Sequence, residues 1–406
     1  MNARGTSGVI AFRARAGIDS IDQYSRHLVS ALAGTGIQTR YVNTGLADLP
    51  GDQDTVWVLL QYNPFSYGRA GFAPSLVHDV MRLRRRARVP LAVMVHEAWI
   101  DIHDAKSAAI GLWQRVQLRA VLRLADRVMT STEALAREIG NGAVHIPVPA
   151  NITPIPAPAG WARDHLGLEG NLVVSLFGRA NPSRALRYAE AAIAALADLR
   201  GPGRLTVLNL GADAPALDLP PGVAVSRPGL LPAKELSLLL SASDIVLLPF
   251  VDGVSTRRST LMAALAHGKP VVGLSGPNTD SILMDAVGCL TLTPVGDLDA
   301  FSNATVELSR DPQRMQAMGD EARRVYESQF DWPVTAMRVG STMQSLVSKS
   351  SRSRTPTTSA DIGAAPGLGV GPGATRAPSG AAVERSCSWC ATWVARAEWN
   401  GTPRSS

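Results

Sequence analysis

Five prolines, Pro147, Pro149, Pro154, Pro156 and Pro158, crowd residues 147–160. No helix or central strand runs through such a stretch, because each proline removes a backbone donor and fixes φ. The segment therefore reads as a connection between two separately ordered halves. Before it, strands are expected over 8–12, 55–60, 91–95 and 127–130, and helices over 21–32, 74–86, 108–124 and 132–139. Ile21, Tyr24, Leu28 and Leu32, for example, recur at the spacing of one helical face. After it, strands are expected over 172–177, 204–210, 245–249 and 271–274, and helices over 184–196, 233–240, 260–266, 298–309 and 312–329. Strands that alternate with helices imply a parallel sheet covered on both faces. The expectation is an α/β chain of two doubly wound, Rossmann-like domains facing a central cleft. Residues 1–147 would form the first domain, 148–170 the linker and 171–346 the second domain, its last helices free to pack back on the first. Residues 347–406 turn Ser-, Arg-, Pro- and Gly-rich, a composition with too little apolar surface to order itself, so a disordered tail is expected there.

Charge narrows the function classes. The chain of 406 residues carries a formal +6. From residue 347 on, Lys349, Arg352, Arg354, Arg376, Arg385, Arg396 and Arg404 stand against Asp361, Glu384 and Glu398, so +4 of that charge sits in the tail. The remainder is near neutral, which argues against nucleic acid as a partner. Three cysteines make no disulfide framework, and Cys387 and Cys390 lack the further pair a structural zinc site needs. Residues 1–17 hold no long apolar run and no stretch approaches the length of a membrane span, so a cytoplasmic protein is expected.

Four segments could carry chemistry. The first, residues 243–272, reads as strand, small-residue loop, helix and strand, with the loop at the strand's C-terminal end, where open parallel sheets bind ligands. In that loop Gly253 would let the backbone approach a ligand, Val254 lies beside it, and Ser255 or Ser259 would cap the helix. Arg257 and Arg258 at a helix start oppose the helix dipole, which a bound anion would explain; a solvated surface pair is the other reading. The second segment, Phe177-Gly178-Arg179-Ala180-Asn181-Pro182-Ser183-Arg184, offers two guanidiniums that would clamp a diphosphate, or a plain solvated loop. The third places His96 and Glu97 at the tip of the apolar strand 91–95. His96 would donate to a hydroxyl or move a proton, or merely end the strand, and Glu97 would favour its charged form. Fourth, Gly17 opens the turn after the first strand. Gln61 and Tyr62, at another strand tip, would line the second-substrate side or support the linker. Arg82, Arg84, Arg85, Arg86 and Arg88 crowd one helix end, either as a solvated face or as a contact for anionic lipid.

Taken together, these segments resemble the retaining GT-B glycosyltransferases of group 1 (family 4), over residues 8–345. Arg179 and Arg184 match the family's Arg-x4-Lys pair, with arginine for lysine. Residues 264–272 are similar to its Ala-Met-Ala-x-Gly-x-Pro-Val-Val, and His96-Glu97 matches its His-Asp position. Gly296-Asp297 and Phe330-Asp331-Trp332 resemble its closing segments. The resemblance implies a nucleotide-sugar donor held by Gly17, Arg179, Arg184, Gly253, Val254, Ser255, Arg257 and Arg258, with His96 and Asp252 acting on the transferred sugar. It implies a glycan, lipid-linked or small-molecule acceptor near Glu97, Gln61 and Tyr62, no cofactor and no metal, and a polysaccharide-building role at the cytoplasmic face of a membrane. The family's two glutamates eight positions apart are missing: Ser255 and Ala263 stand there, and Asp252-Gly253 is the nearest Glu-Gly equivalent. A GT-B nucleotide-sugar epimerase or an inactive nucleotide-sugar-binding subunit are the alternatives.

Overall fold

Leu91–Val95 is buried at every residue, as an apolar run must be when a parallel strand is covered on both faces. The computed structural model describes residues 7–13, 19–44, 46, 49, 55–86, 89–100, 102–140, 142–156, 160–180, 183–286 and 288–352. In the N-terminal half the elements are β1 (Ser7–Ala11), α1 (Ser20–Gly34), β2 (Gln38–Val42), β3 (Thr55–Tyr62), α2 (Pro64–Tyr67), α3 (Pro74–Arg86), β4 (Leu91–Val95), α4 (Ala105–Arg123), β5 (Arg127–Thr130), α5 (Glu133–Ile139) and β6 (Val144–His145). The C-terminal half contains α6 (Trp161–Leu166), β7 (Leu172–Phe177), α7 (Leu186–Arg200), β8 (Leu205–Leu210), β9 (Ala224–Ser226), α8 (Ala233–Ala242), β10 (Ile245–Leu248), α9 (Ser259–Ala266), β11 (Val271–Ser275), α10 (Ser281–Met284) and β12 (Leu290–Pro294). It closes with α11 (Leu298–Ser309), α12 (Pro312–Val325) and α13 (Trp332–Arg352).

Two parallel six-stranded sheets result, in the orders β2-β1-β3-β4-β5-β6 and β12-β11-β10-β7-β8-β9. In each the strand order reverses once, between β1 and β3 and between β7 and β10. At such a switch point the loops leave in opposite directions and open a crevice at the strands' C-terminal ends. The loops after β7 and β10 are those that carry the arginines singled out in the sequence.

The chain then returns to its first half. Ala336, Val339, Met343 and Leu346 of α13 bury against Leu28 and Leu32 of α1, in a cluster shared with Trp57 and Met94. Trp332 donates its indole N–H to the Ala150 carbonyl (2.9 Å), fixing where α13 starts. Two expectations change. The segment 148–170 includes α6, since Trp161–Leu166 has no proline and stops at Gly167, in the left-handed conformation. α13 also runs through Arg352 because its apolar face continues to Leu346, so residues 347–352 are helix rather than tail. Gly17, Arg88 and residues 353–406 lie outside the described residues.

Candidate functional site

The loops after β7 and β10 lie side by side. Arg184 and Phe250 form an isolated antiparallel bridge, Ala185 N–H donates to the Pro249 carbonyl (2.8 Å), and Val251 N–H donates to the Ser183 carbonyl (2.8 Å). Arg184 is buried. One guanidinium nitrogen donates to the Gly178 carbonyl (3.0 Å) and the other, Nη2, has no partner. Burial lowers its pKa to about 10, which leaves it charged at neutral pH. Gly178 also touches the start of α9: a Cβ added there would lie 3.2 Å from Thr260 Cγ2, and Thr260 Oγ1 is likewise without a partner. A buried cation, unpartnered donors and the free N–H groups of a helix start therefore meet at the switch point, a combination that suits an anion.

Arg179 does not join them. Gly178 turns the chain at φ +129, and the following residues lean toward the loop after β8, where Arg179 pairs with Asp213 (3.1 Å) and stays 64% exposed. Of the two arginines expected to act together, only Arg184 lies beside the start of α9.

Around α9 the expectations need further correction. The helix begins at Ser259, with Arg258 at its N-cap position and no side-chain cap. Ser255 is therefore not a cap. It is buried with its hydroxyl unpartnered, and its carbonyl accepts from Arg258 N–H (3.0 Å). Gly253, at φ +89, packs against the turn after β11. A Cβ there would collide with Thr279 Oγ1 and Gly276 N, so close loop packing by itself requires glycine at this position. Val254 is fully buried and its N–H donates to the Leu274 carbonyl (2.8 Å). Ala263 packs into a cluster with Ile152, Val173, Leu208 and Leu240.

Asp252 is buried between Arg258 Nη2 (3.3 Å) and Asn278 Nδ2 (3.2 Å). Burial pushes its pKa up to about 7, against the pull of Arg258 and Arg257. The Arg258 guanidinium lies 3.9 Å over the Phe250 ring and reaches Ser183 Oγ (3.3 Å). Burial and Arg257 bring its pKa down to about 9, while Asp252 and Glu97 oppose that.

The N-terminal sheet supplies the facing wall. His96 is buried at the tip of β4, its Nε2 2.7 Å from Gln61 Oε1 and its ring edge-on to Tyr24 (5.1 Å between centroids). With Oε1 as acceptor, Nε2 carries the proton and Nδ1 is the ring's acceptor. Burial first, and then Arg257 across the cleft, lower the His96 pKa to about 3, so the imidazole is neutral. Glu97, expected to favour its charged form, instead accepts from Asn63 Nδ2 (3.0 Å). Gln61 Nε2 and Tyr24 Oη are buried without partners. Tyr62 is turned away, because strand alternation sends it into the opposite core with Val9, Phe12 and Leu118, where its hydroxyl meets Gln117 Nε2 (3.3 Å).

One group of residues has no sequence signal. Thr256 Oγ1 lies 2.9 Å from the Ser131 carbonyl, 2.8 Å from His145 Nε2 and 2.7 Å from Asp280 Oδ2, and its N–H also donates to Asp280 Oδ2 (2.7 Å). Asp280 Oδ1 accepts from Glu133 N–H (2.7 Å), and both Glu133 oxygens accept from Ser281. The ligand atoms of Glu133, His145 and Asp280 fall within 4.8 Å of one another. All four carboxylate oxygens are taken by N–H and O–H donors, however, so the cluster acts as a latch between domains. It holds the Thr256 turn, and Arg257 and Arg258 after it, against the β5–α5 corner. Asp280→Ala would leave the buried donors on Glu133 and Thr256 without their acceptor and is expected to lower unfolding stability by about 3 kcal/mol. The shift of the urea midpoint against that of Asp280→Asn, which keeps one acceptor oxygen, measures it.

No family model and no curated protein matches the chain. Solved structures do. The sucrose-phosphate synthase of Thermosynechococcus elongatus superposes with TM-score 0.59 at 16% identity, over 85% of this chain and 99% of that one. Anabaena HepE, solved with UDP and glucose, gives 0.58 at 16% identity over 84% and 100%. WaaG, a glycosyltransferase involved in lipopolysaccharide biosynthesis, gives 0.51 at 14% identity over 83% and 99%. The superpositions span nearly the whole length of each of these proteins, and this chain, with its two doubly wound parallel sheets, has the GT-B fold.

Proposed function

We propose that the protein is a glycosyltransferase that takes a sugar from a nucleoside diphosphate and places it, with retention, on a glycan, lipid-linked or small-molecule acceptor. The observation that carries this is the buried Arg184, with its unpartnered nitrogen, beside Gly178 and the start of α9. As the bond from the anomeric carbon to the diphosphate breaks, negative charge grows on the leaving oxygen. A fixed guanidinium and backbone N–H groups in a dry site stabilise that charge. The acceptor oxygen bonds to the anomeric carbon, and its proton leaves with the departing phosphate oxygen. Neutral His96, oriented by Gln61, holds a sugar hydroxyl, and Asp252 and Arg258 frame the pocket floor. In this reading the leaving-group charge needs no metal.

HepE was solved with UDP and with UDP-glucose, so a uridine donor is the first to test. Ala263 is packed in the core and offers no carboxylate to a ribose, so the unpartnered Ser255 and Thr260 hydroxyls are assigned that recognition. A thermal-shift series with UDP, GDP and ADP tests the reading, since a ligand of the native state raises its melting temperature. One diphosphate should raise the midpoint more than its monophosphate does; no shift with any of them overturns the assignment. A UDP-N-acetylglucosamine 2-epimerase of Listeria monocytogenes also superposes, at TM-score 0.53 and 12% identity. Release of nucleotide that depends on an added acceptor separates transfer from epimerisation.

Contact with anionic lipid through the helix-end arginines belongs to the same proposal, with one change. Arg84 is committed to Asp126 (2.8 Å) and to the Val89 carbonyl, which leaves Arg82, Arg85 and Arg86 exposed.

A further inference from the structure

The outward stripe of α4 is inverted for a helix on a protein surface. Ala105, Ala109, Leu112, Val116, Arg119 and Arg123 follow one another at helical spacing and are all exposed. The first four are apolar, with Leu112 61% and Val116 48% exposed. The stripe continues sideways through Trp113 onto Phe72, whose ring lies 4.5 Å from the indole and which is 57% exposed. Ile102, 56% exposed, stands just before the helix. Exposed apolar side chains gathered on one helix face and the loop beside it mark a contact surface.

Its surroundings are cationic. Residues 64–126 hold ten Lys and Arg against five Asp and Glu. Asp126 is paired with Arg84, Asp104 caps α4 through Ser107, and Glu97 is held by Asn63. The C-terminal end of α3 is tied to the residue just past α4 by Arg84 and Asp126, and both helix ends carry exposed arginines, Arg82, Arg85 and Arg86 on α3 and Arg119 and Arg123 on α4. An apolar patch continued by exposed arginines, with three of the five carboxylates of this segment engaged, is complementary to an anionic bilayer. Among the described residues no helix is long and apolar enough to cross a membrane, so such contact would lie on the surface.

Position adds a second argument. Phe72 and Ile102 lie on the connections that leave the C-terminal ends of β3 and β4, the edge that also carries Gln61, His96 and Glu97. A surface docked there lies next to the acceptor side of the cleft.

We propose that Phe72, Ile102, Leu112, Trp113 and Val116 insert into the interfacial layer of an anionic membrane, with Arg119, Arg123 and the α3 arginines on the headgroups. The protein would thereby draw an acceptor with a lipid anchor to His96. The docking stands on the surface alone, and only the link to the acceptor rests on the transferase reading.

The test is flotation of the full chain with vesicles of phosphatidylcholine alone and of an equimolar phosphatidylcholine–phosphatidylglycerol mixture. The wild type should float with the mixed vesicles and not with the neutral ones. The pair Leu112→Ser and Val116→Ser should lower the bound fraction by about tenfold. The pair Arg119→Ser and Arg123→Ser should do likewise at low salt and differ little from wild type at high salt. All four substituted residues are exposed, so melting temperature and any nucleoside diphosphate affinity should be unchanged. Equal flotation with both vesicle types, or equal flotation of both double variants and wild type, overturns the proposal. So does a dimer in sedimentation velocity that Leu112→Ser dissolves, since a second copy would then cover the face. Loss of nucleotide response in the wild type would sink the transferase reading and leave the docking result standing.

Discussion

Arg184→Ala is expected to weaken binding of the preferred nucleoside diphosphate by about 10- to 100-fold, because a charge-assisted hydrogen bond contributes about 1.5–3 kcal/mol. The side chain already donates one nitrogen to Gly178, so its position is set before ligand arrives and little ordering opposes binding. The same substitution at Arg85, exposed on α3, should leave the affinity unchanged. Isothermal titration of both variants decides the matter: equal affinities would mean that the diphosphate does not sit at the β7–β10 switch point. Arg184→Lys separates charge from geometry. It should restore part of the affinity, since lysine keeps the charge but loses the planar fork. Because Arg184 also ties the β7 loop, melting temperatures accompany the titration. A variant that binds poorly but melts normally isolates the ligand contact.

His96→Ala should reduce the transfer rate by about 100-fold while the diphosphate affinity stays near that of the wild type. Arg257, in the loop after β10, acts on the imidazole from the opposite sheet, and the proposed reading gives His96 the transferred sugar rather than the nucleotide. If the substitution abolished nucleotide binding, His96 would belong to the donor pocket and the proposed division of the cleft would be wrong. Its titration makes a separate prediction. The folded pKa lies near 3 and the unfolded value at 6.5. The native state therefore excludes a proton that the unfolded chain accepts. Stability from this group is complete above pH 6.5 and falls as pH drops toward 3, by at most about 5 kcal/mol at roughly 1.4 kcal/mol per unit. His96→Gln, which cannot protonate, should flatten the fall in urea-unfolding free energy between pH 6 and pH 4 (pH values of about this range). A slope equal to the wild type's would place the acid sensitivity elsewhere.

Much of the fold follows from local pattern. Runs such as Leu91–Val95 and Ile245–Leu248 are apolar throughout, and only a doubly covered parallel strand uses them fully. The short strands β2, β6, β9 and β12 escaped notice because they mix polar and apolar residues and are half-exposed. They are strands by virtue of the neighbour they pair with. Of the candidate site, Arg184, His96, Gln61, Asp252 and Arg258 were legible as polar residues at strand tips or helix starts. The directions of Arg179 and Tyr62 were not. Glycine torsion, a nearby aspartate and strand alternation set these, and the first two depend on atoms brought in by folding.

The latch marks the boundary most clearly. Thr256 meets Ser131, Glu133 meets Ser281 and Arg257 acts on His96, each across more than a hundred residues of chain. Hydrophobic period, proline content and helix capping depend on neighbours a few positions away, so the order of residues alone determined two α/β domains and the loops that would face each other. Which side chains meet across the cleft, which carry a proton and which remain without a partner depends on desolvation and on distances between segments far apart along the chain. Those quantities exist only once both sheets have formed and α13 has packed against α1.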